Sequence, residues 1–524
     1  MNSCGPEVIL ADTLPSSGAP PEALHVRIRP LQPFRRTLCA VVSIALVATT
    51  ALAPMTSIAQ SLPDLGDAAQ VNLSPAQERK LGEAIMRQAR ASGGYLNDPE
   101  VADYLNELGA RLVAASRDAR QEFEFFAVPD NAINAFALPG GFIGVNTGLI
   151  LLAQNESELA SVLAHEITHV TQRHIARLLQ GQQNSLLMSL AALAVAMLAA
   201  RAGGSSSGDA ASAAIATSQA LMLQSQLNFT REFEYEADRI GFQRLSAAGF
   251  DVRAAPVFME RLQKSSRFLE GNAPSYLRTH PVTYERIAEA SARAEAVPYK
   301  QIPDSLDFQM VRALLRSYQG EAQEAVRLFD QSIAERKFNS EVAARYGLVA
   351  ALLRAKNLQR AKTELALVEK MAPPHPMIEA IAGHVLLENG EVDAAIRRIE
   401  SALTRYPNKM QLVYDYPEAL IKARRFDDAA RFAERELLRF AGDGALHRIA
   451  AQAYSGLGKR LKHHYHQGEY YAWLGNLKAA IDQLQLATRA SDANFYESSV
   501  VDTRLRELRR ELADQQKEGF ARNG

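Results

Sequence analysis

Small residues return in register along residues 304–524, and that recurrence restricts the fold more than any other feature of the chain. Ala325 in GEAQEA, Ala361 in KNLQRA, Ala395 in GEVDAA and Ala429 in RRFDDA stand in equivalent places, separated by 36, 34 and 34 residues. Thirty-four is the tetratricopeptide period. Ala480 in GNLKAA follows after 51 residues, one and a half periods, so an irregular helix pair is expected in between. Pro407 and the cluster Pro373, Pro374 and Pro376 fall between helices, where chain-stopping residues belong. One such repeat cannot bury its apolar face, so the units must stack into an all-α solenoid. The concave side of a solenoid of this kind usually serves peptides or partner proteins. His463, His464 and His466 have no companion carboxylate or cysteine pattern, and they read as polar residues of an aromatic repeat helix or its loop.

The other end is built differently. FRRTLCAVVSIALVATTALAPMTSIAQS has Arg35 and Arg36, an apolar run from Leu38 to Leu52, and the small-residue exit Ser57-Ile58-Ala59. These are the three parts of a secretory signal peptide. Cleavage is expected after Ala59, which makes 1–59 a leader, with an uncleaved anchor as the alternative. Residues 1–33 resemble no normal n-region, so the true start is expected further in. The bulky Leu38 argues against acylation at Cys39. Cys4 and Cys39 are the only cysteines, so the exported chain has no disulfide, thiolate ligand or cysteine nucleophile and relies on its core or a metal. Export of this kind points to the periplasm. Lys+Arg 58 against Asp+Glu 59 leaves no field that would draw the chain to nucleic acid.

Between leader and repeats, 60–303 alternates patterns. SPAQERKLGEAIMRQARASG predicts a helix capped by Ser74, and 99–117 predicts another. EFEFFAVPD alternates as a strand, and INAFALPGGFIGVNTGLILL predicts two more strands around a turn at Gly140 and Gly141. A helix is expected from Glu156 to about Gln180. Leu186 to Ala200 is apolar all round but fifteen residues long, short of the roughly 20 that span a bilayer. The segment 186–223, with a flexible tip at 203–208, is expected to be an apolar lid over the site or a hairpin in peripheral membrane contact.

HEITHVTQRH (165–174) supplies the chemistry. Helical spacing of four puts His165 and His169 on one face, one turn apart, where both can reach a zinc at about 2 Å. Glu166 would face the open side, take a proton from metal-activated water and return it to the leaving amine, as in a zinc metalloendopeptidase. A catalytic zinc requires a third protein ligand. Gln172 and Ile175 occupy the places where the longer H-E-x-x-H-x-x-G-x-x-H pattern needs glycine and histidine, and His174 reads as structural, facing elsewhere on the same helix. A second helix, NFTREFEYEADRIGFQRLSAAGFD (228–251), can supply Glu234 as ligand. Asp238, one turn on, can accept the ring N–H of a ligating histidine. Alone this segment is a solvated acidic face; beside H-E-x-x-H it becomes a ligand helix. His280, in YLRTHPVTYERIAEA, is open to three readings: a fourth ligand that closes the site, a hydrogen-bond donor to the transition state, or a helix-start histidine without a special role.

H-E-x-x-H followed by T-R-E-F-E-Y-E-A-D resembles the zinc metallopeptidase family that includes the CAAX prenyl endoproteases. That family takes its third ligand from an E-x-x-x-D motif, which falls here on Glu234 and Asp238. NAFALPGG (134–141) is similar to the family's strand beside the active site, which implies substrate contacts at Asn134, Phe136 and Ala137. Leader, peptidase and repeats together resemble the family's periplasmic branch, which acts in outer-membrane beta-barrel assembly. The expected fold is mainly α with a small β-sheet: an α+β zinc metallopeptidase domain over 60–303, then an all-α tetratricopeptide solenoid over 304–524. The resemblance implies one Zn2+ per chain, unfolded or misassembled outer-membrane proteins as substrates, the beta-barrel assembly machinery as partner, and a chaperone activity. Two alternatives stay open. A membrane-associated heat-shock-type metalloprotease would need Leu186–Ala200 to span. A non-catalytic scaffold with structural zinc would have no use for Glu166.

Overall fold

The computed structural model describes residues 74–115, 121–179, 231–267 and 275–520. The expected signal peptide, its expected cleavage site and the apolar segment 186–223 lie outside these residues. No described helix is long and apolar enough to cross a membrane.

The chain opens on α1 (Pro75–Ala91), which starts where the sequence puts it. Ser74 Oγ accepts from the Gln77 N–H, and Gln77 Oε1 accepts from the Ser74 N–H at 2.8 Å. This reciprocal cap satisfies two orphan donors. Helix α2 (Pro99–Ala114) is capped by Asp98. Strands β1 (Glu124–Val128), β2 (Ala135–Leu138) and β3 (Phe142–Asn146) form one sheet in the order β1-β3-β2, with β1 parallel and β2 antiparallel to β3. The β2–β3 turn needs its glycines: Gly140 and Gly141 have φ of +79° and +88°, and a Cβ on Gly141 would lie 2.1 Å from the Glu122 carbonyl oxygen.

Helix α3 (Thr147–Leu152) leads into α4 (Glu156–Thr171), which is buried nearly all round and runs beside β2. The continuous helix expected to about Gln180 is corrected here. It stops at Thr171, Arg173 adopts a left-handed φ of +54°, and a separate α5 (His174–Leu179) begins. A left-handed non-glycine is costly, and an ion pair from Arg173 Nη2 to Glu78 on α1, at 2.7 Å, holds it there. Helices α6 (Arg231–Ala247), α7 (Ala254–Arg267), α8 (Ser275–Thr279) and α9 (Tyr284–Glu295) complete the unit. Gly241 lets α6 approach α4 closely, since a Cβ there would come within 3.2 Å of the His165 backbone nitrogen. That approach sets the acidic face of α6 against the histidines of α4.

The repeats follow as α10 (Leu306–Ser317), α11 (Ala322–Ala334), α12 (Glu341–Arg354), α13 (Leu358–Met371), α14 (Pro376–Glu388), α15 (Val392–Arg405), α16 (Met410–Lys422) and α17 (Phe426–Leu437). The alanines at 325, 361, 395, 429 and 480 are all at most 1% exposed, as the packing of a repeat demands. Helices α18 (Gly444–Gly456) and α19 (Arg460–Trp473) fill the 51-residue step before α20 (Leu477–Thr488) and α21 (Phe495–Phe520). His463 and His464 on α19 bond to the Ala451 carbonyl and Gln483, while His466 meets His447, so the three share no centre.

One repeat face meets the chain's own α2. Tyr318 Oη donates to Asp98 at 2.6 Å, Tyr346 Oη donates to Glu100 at 2.7 Å, and the Met410 N–H donates to Asp103 at 2.9 Å. The repeats are also tied to the start of α4. Ser305, the cap of α10, donates its hydroxyl to Glu156 at 2.7 Å, and Asp304 accepts the Glu156 N–H at 2.8 Å.

Candidate metal centre

Four side chains from three elements converge beneath β2. Helix α4 contributes His165 and His169, α6 contributes Glu234, and the turn after α8 contributes His280. Each offers one ligand atom, and these atoms all lie within 4.8 Å of one another. His165 Nε2 is 2.9 Å from His169 Nε2 and 3.5 Å from Glu234 Oε2, and His169 Nε2 is 3.5 Å from Glu234 Oε1. Four ligands at about 2.0–2.1 Å around a tetrahedral ion stand roughly 3.3 Å apart, so the separations suit one metal ion. His280 Nδ1 sits 3.3 Å from His165 Nε2 and 3.0 Å from Glu234 Oε1, on the remaining side of the cluster. All four side chains are buried.

The partners of the outward-facing atoms fix which lone pairs look inward. Asp238 Oδ1 lies 3.0 Å from His165 Nδ1, so that nitrogen carries a proton and Nε2 is the atom turned toward the other ligands. Arg286 holds Asp238 in turn, through Nε to Oδ2 at 2.6 Å and Nη2 to Oδ1 at 2.8 Å, and its Nη1 pairs with Glu234 at 2.8 Å. His169 is oriented by a chain of its own. Its Nδ1 lies 2.8 Å from His174 Nδ1, and His174 Nε2 lies 3.2 Å from Glu236 Oε2. Phe233 stacks flat on His174 at 4.5 Å, and Arg177 ties Glu236 at 2.8 Å.

Charge in the cluster is arranged for a cation. Burial opposes a charge on His165, yet the bonds to Asp238 and Glu234 outweigh it and raise its pKa to about 10. Burial also works against the Glu234 anion, but His280 and His165 hold that carboxyl well below the ordinary range. Burial, reinforced by the His165 charge, pushes His169 well below the usual imidazole value. Glu166 is fully buried and raised by that burial, with the charges of His280 and His165 and a bond from the Ala137 N–H acting in the opposite direction. The His280 Nε2 atom stands 3.6 Å from Glu166 Oε1.

The expected residues therefore meet: His165, His169, Glu234 and His280 share the cluster, with Glu166 at its side and Asp238 behind His165. His174 departs from expectation. It does not face elsewhere on α4, because the break at Arg173 swings it back against His169. Arg286 and Tyr276 were not legible as site residues; Tyr276 stacks on the His280 ring at 4.8 Å. The substrate residues divide by their backbones. The Asn146 N–H donates to the Asn134 carbonyl at 2.9 Å, so in an antiparallel ladder Asn134, Phe136 and Leu138 bond to β3. Ile133, Ala135 and Ala137 then turn their backbone groups to the open edge, and the Ile133 carbonyl is taken by the Tyr276 N–H at 3.1 Å.

The model of "Peptidase family M48" matches residues 99–294. A putative beta-barrel assembly-enhancing protease of Vibrio cholerae is 35% identical over 450 residues, covering 85% of this chain and 92% of that one. The beta-barrel assembly-enhancing protease of Escherichia coli K12 is 32% identical over 453 residues, covering 86% and 92%. Among solved structures, YrrB, a TPR protein with an unusual peptide-binding site, is 18% identical with a TM-score of 0.25, over 36% of this chain and 93% of that one.

Proposed function

The chain belongs to peptidase family M48 and is a metalloendopeptidase, and on that premise we propose that it is a zinc enzyme of the bacterial periplasm that cleaves unfolded or misassembled outer-membrane proteins. The observation that carries this is the convergence of His165, His169 and Glu234 beside a fully buried Glu166. The donor set, imidazole nitrogens with one carboxylate oxygen and no thiolate, fits a catalytic rather than a structural zinc. Zinc bound there supplies Lewis acidity, lowering the pKa of a water to about 7 and polarising a peptide carbonyl. Glu166 takes the proton of the attacking water and returns it to the leaving amine, a task suited to a carboxyl raised by burial. Asp238 and Arg286 hold His165 in place, and His174 with Glu236 does the same for His169.

An extended substrate would lie along the open edge of β2, bonding to the backbone of Ala135 and Ala137, with Asn134 and Phe136 fixing that edge from within the sheet. Main-chain pairing of this kind selects little by side chain, which suits an enzyme that must cut many unfolded chains. His280 is read as the closing member of the cluster, since its Nδ1 faces the ligands while its Nε2 faces Glu166. The peptidase is assigned to 60–303 and the solenoid to 304–524. The names of the relatives refer to beta-barrel assembly, which supports contact with that assembly machinery, and a chaperone role is proposed beside it. The deciding experiment measures metal content and cleavage of an unfolded outer-membrane protein before chelation, after chelation and after zinc is restored. Activity that follows zinc supports the reading; full activity in the metal-free chain refutes it.

A further inference from the structure

A cavity of about 550 Å³ lies away from the metal cluster, between the loop that precedes α4 and the first two repeats. Its charged lining residues are Arg312, Arg316 and Lys337; no aspartate or glutamate lines it. Three cations around one hollow repel each other unless an anion joins them. Lys337 leans on Glu335, but Arg312 and Arg316 form no ion pair among the described residues. Arg312 Nη2 reaches the Leu151 carbonyl at 3.1 Å, while its buried Nε has no partner. The acids whose fields reach Arg312 are engaged elsewhere. Asp304 accepts the Glu156 N–H at 2.8 Å, and Glu158 is clasped by both Nη atoms of Arg261. Burial and the adjoining Arg316 charge push Arg312 down to about 10, a guanidinium short of negative charge.

The remaining lining distinguishes among anions. Gln154, Gln309 and Asn339 offer amides of the kind that pair with a peptide backbone, and Phe329 and Phe338 offer apolar walls. A bare inorganic anion would use neither. The volume falls within the range of peptide- and ligand-sized pockets.

We propose that this cavity binds the carboxylate groups of a polypeptide, either acidic side chains or a free C-terminus, and so holds a client chain beside the peptidase. Arg316, which is exposed to solvent, makes first contact, and Arg312 closes on the carboxylate from below. Asn155 caps α4, and His165 lies ten residues further along that helix, about 15 Å at 1.5 Å per residue. A tethered chain needs only about five extended residues to reach the ligands from there.

The test uses the full chain carrying Glu166→Gln, so that the probe is not cut, and a fluorescent peptide ending in two acidic residues with a free carboxylate. Anisotropy should report saturable binding that weakens about 10-fold or more in Arg316→Glu, the loss expected of one charge-assisted bond. Lys337→Glu provides a second reading should Arg316→Glu fold poorly. A peptide with amides at the acidic positions and an amidated end should bind at least as much more weakly. Equal binding of the two peptides, or no loss in either charge-reversed variant, overturns the proposal. Displacement of the probe by inorganic phosphate at the same concentrations as by unlabelled acidic peptide also overturns it, because the site would then take any small anion. Binding is read without cleavage, so failure here leaves the peptidase reading standing.

Discussion

His169 Nδ1 and His174 Nδ1 face each other at 2.8 Å across the break between α4 and α5. One of the two nitrogens must donate and the other accept. For His169 to keep Nε2 bare toward the ligand cluster, its Nδ1 carries the proton and His174 accepts it. His174 then has its own proton on Nε2, directed at Glu236. The chain carboxylate–imidazole–imidazole thus decides the tautomer of a proposed metal ligand.

Removing that partner should weaken metal binding. His174→Ala is expected to lower zinc affinity by about 10- to 100-fold, the usual effect of losing an outer-shell partner. His174→Gln should recover much of it, because an amide can both accept from His169 and donate to Glu236. Competition with a fluorescent chelator reads the affinity directly. Unaltered affinity in His174→Ala would show that the relay does not orient the ligand.

His280 gives a test by sign. If it closes the cluster, His280→Ala raises basal cleavage of a casein-like substrate or provokes self-cleavage. If it instead donates to the transition state, the rate falls by roughly 100-fold. The placement of Nδ1 among the ligand atoms favours the increase.

Much of this site was legible in the sequence. Spacing put His165 and His169 on one helical face, and the pairing of that helix with E-x-x-x-D singled out Glu234 and Asp238. The Ser74 cap and the Gly140-Gly141 hairpin were also readable, because each depends on a few adjacent residues. What escaped depended on tertiary contact. The left-handed turn at Arg173 rests on Glu78, 95 positions earlier, and no local pattern announces it. Arg286 is an unremarkable helical arginine until α9 packs against α6. The contact of the repeats with α2 was equally invisible, since Asp98, Glu100 and Asp103 look like ordinary solvated acids.

The edge strand offers a third prediction. Ala137→Pro removes a backbone donor from the open side of β2, one that faces Glu166 and that the ladder with β3 does not use. Cleavage of an unfolded substrate should slow by about fivefold, the worth of one main-chain hydrogen bond, with zinc content unchanged. An unchanged rate in a folded variant would place the substrate elsewhere.

The contact between α2 and the repeats predicts a pH dependence of stability. Burial, with Asp98 nearby, pushes Glu100 up to about 8 against an ordinary 4.5, despite the bond from Tyr346. The folded state therefore holds a proton there that the unfolded state has released. Stability from this group is complete below about pH 4.5 and is lost as pH rises through 8. Glu100→Gln keeps an acceptor for Tyr346 without the charge, so its Tm should exceed that of the parent at pH 9 and converge with it near pH 5. Parallel Tm profiles across that range would contradict the assignment.

In the proposed division of labour, Glu166 moves protons while His165, His169 and Glu234 hold the metal. Glu166→Gln, purified as the full chain, should be measured for zinc per chain and for cleavage of an unfolded outer-membrane protein in the same preparation. Zinc near one per chain and no cleavage are expected. Loss of zinc in this variant, or cleavage at the parental rate, would contradict that division.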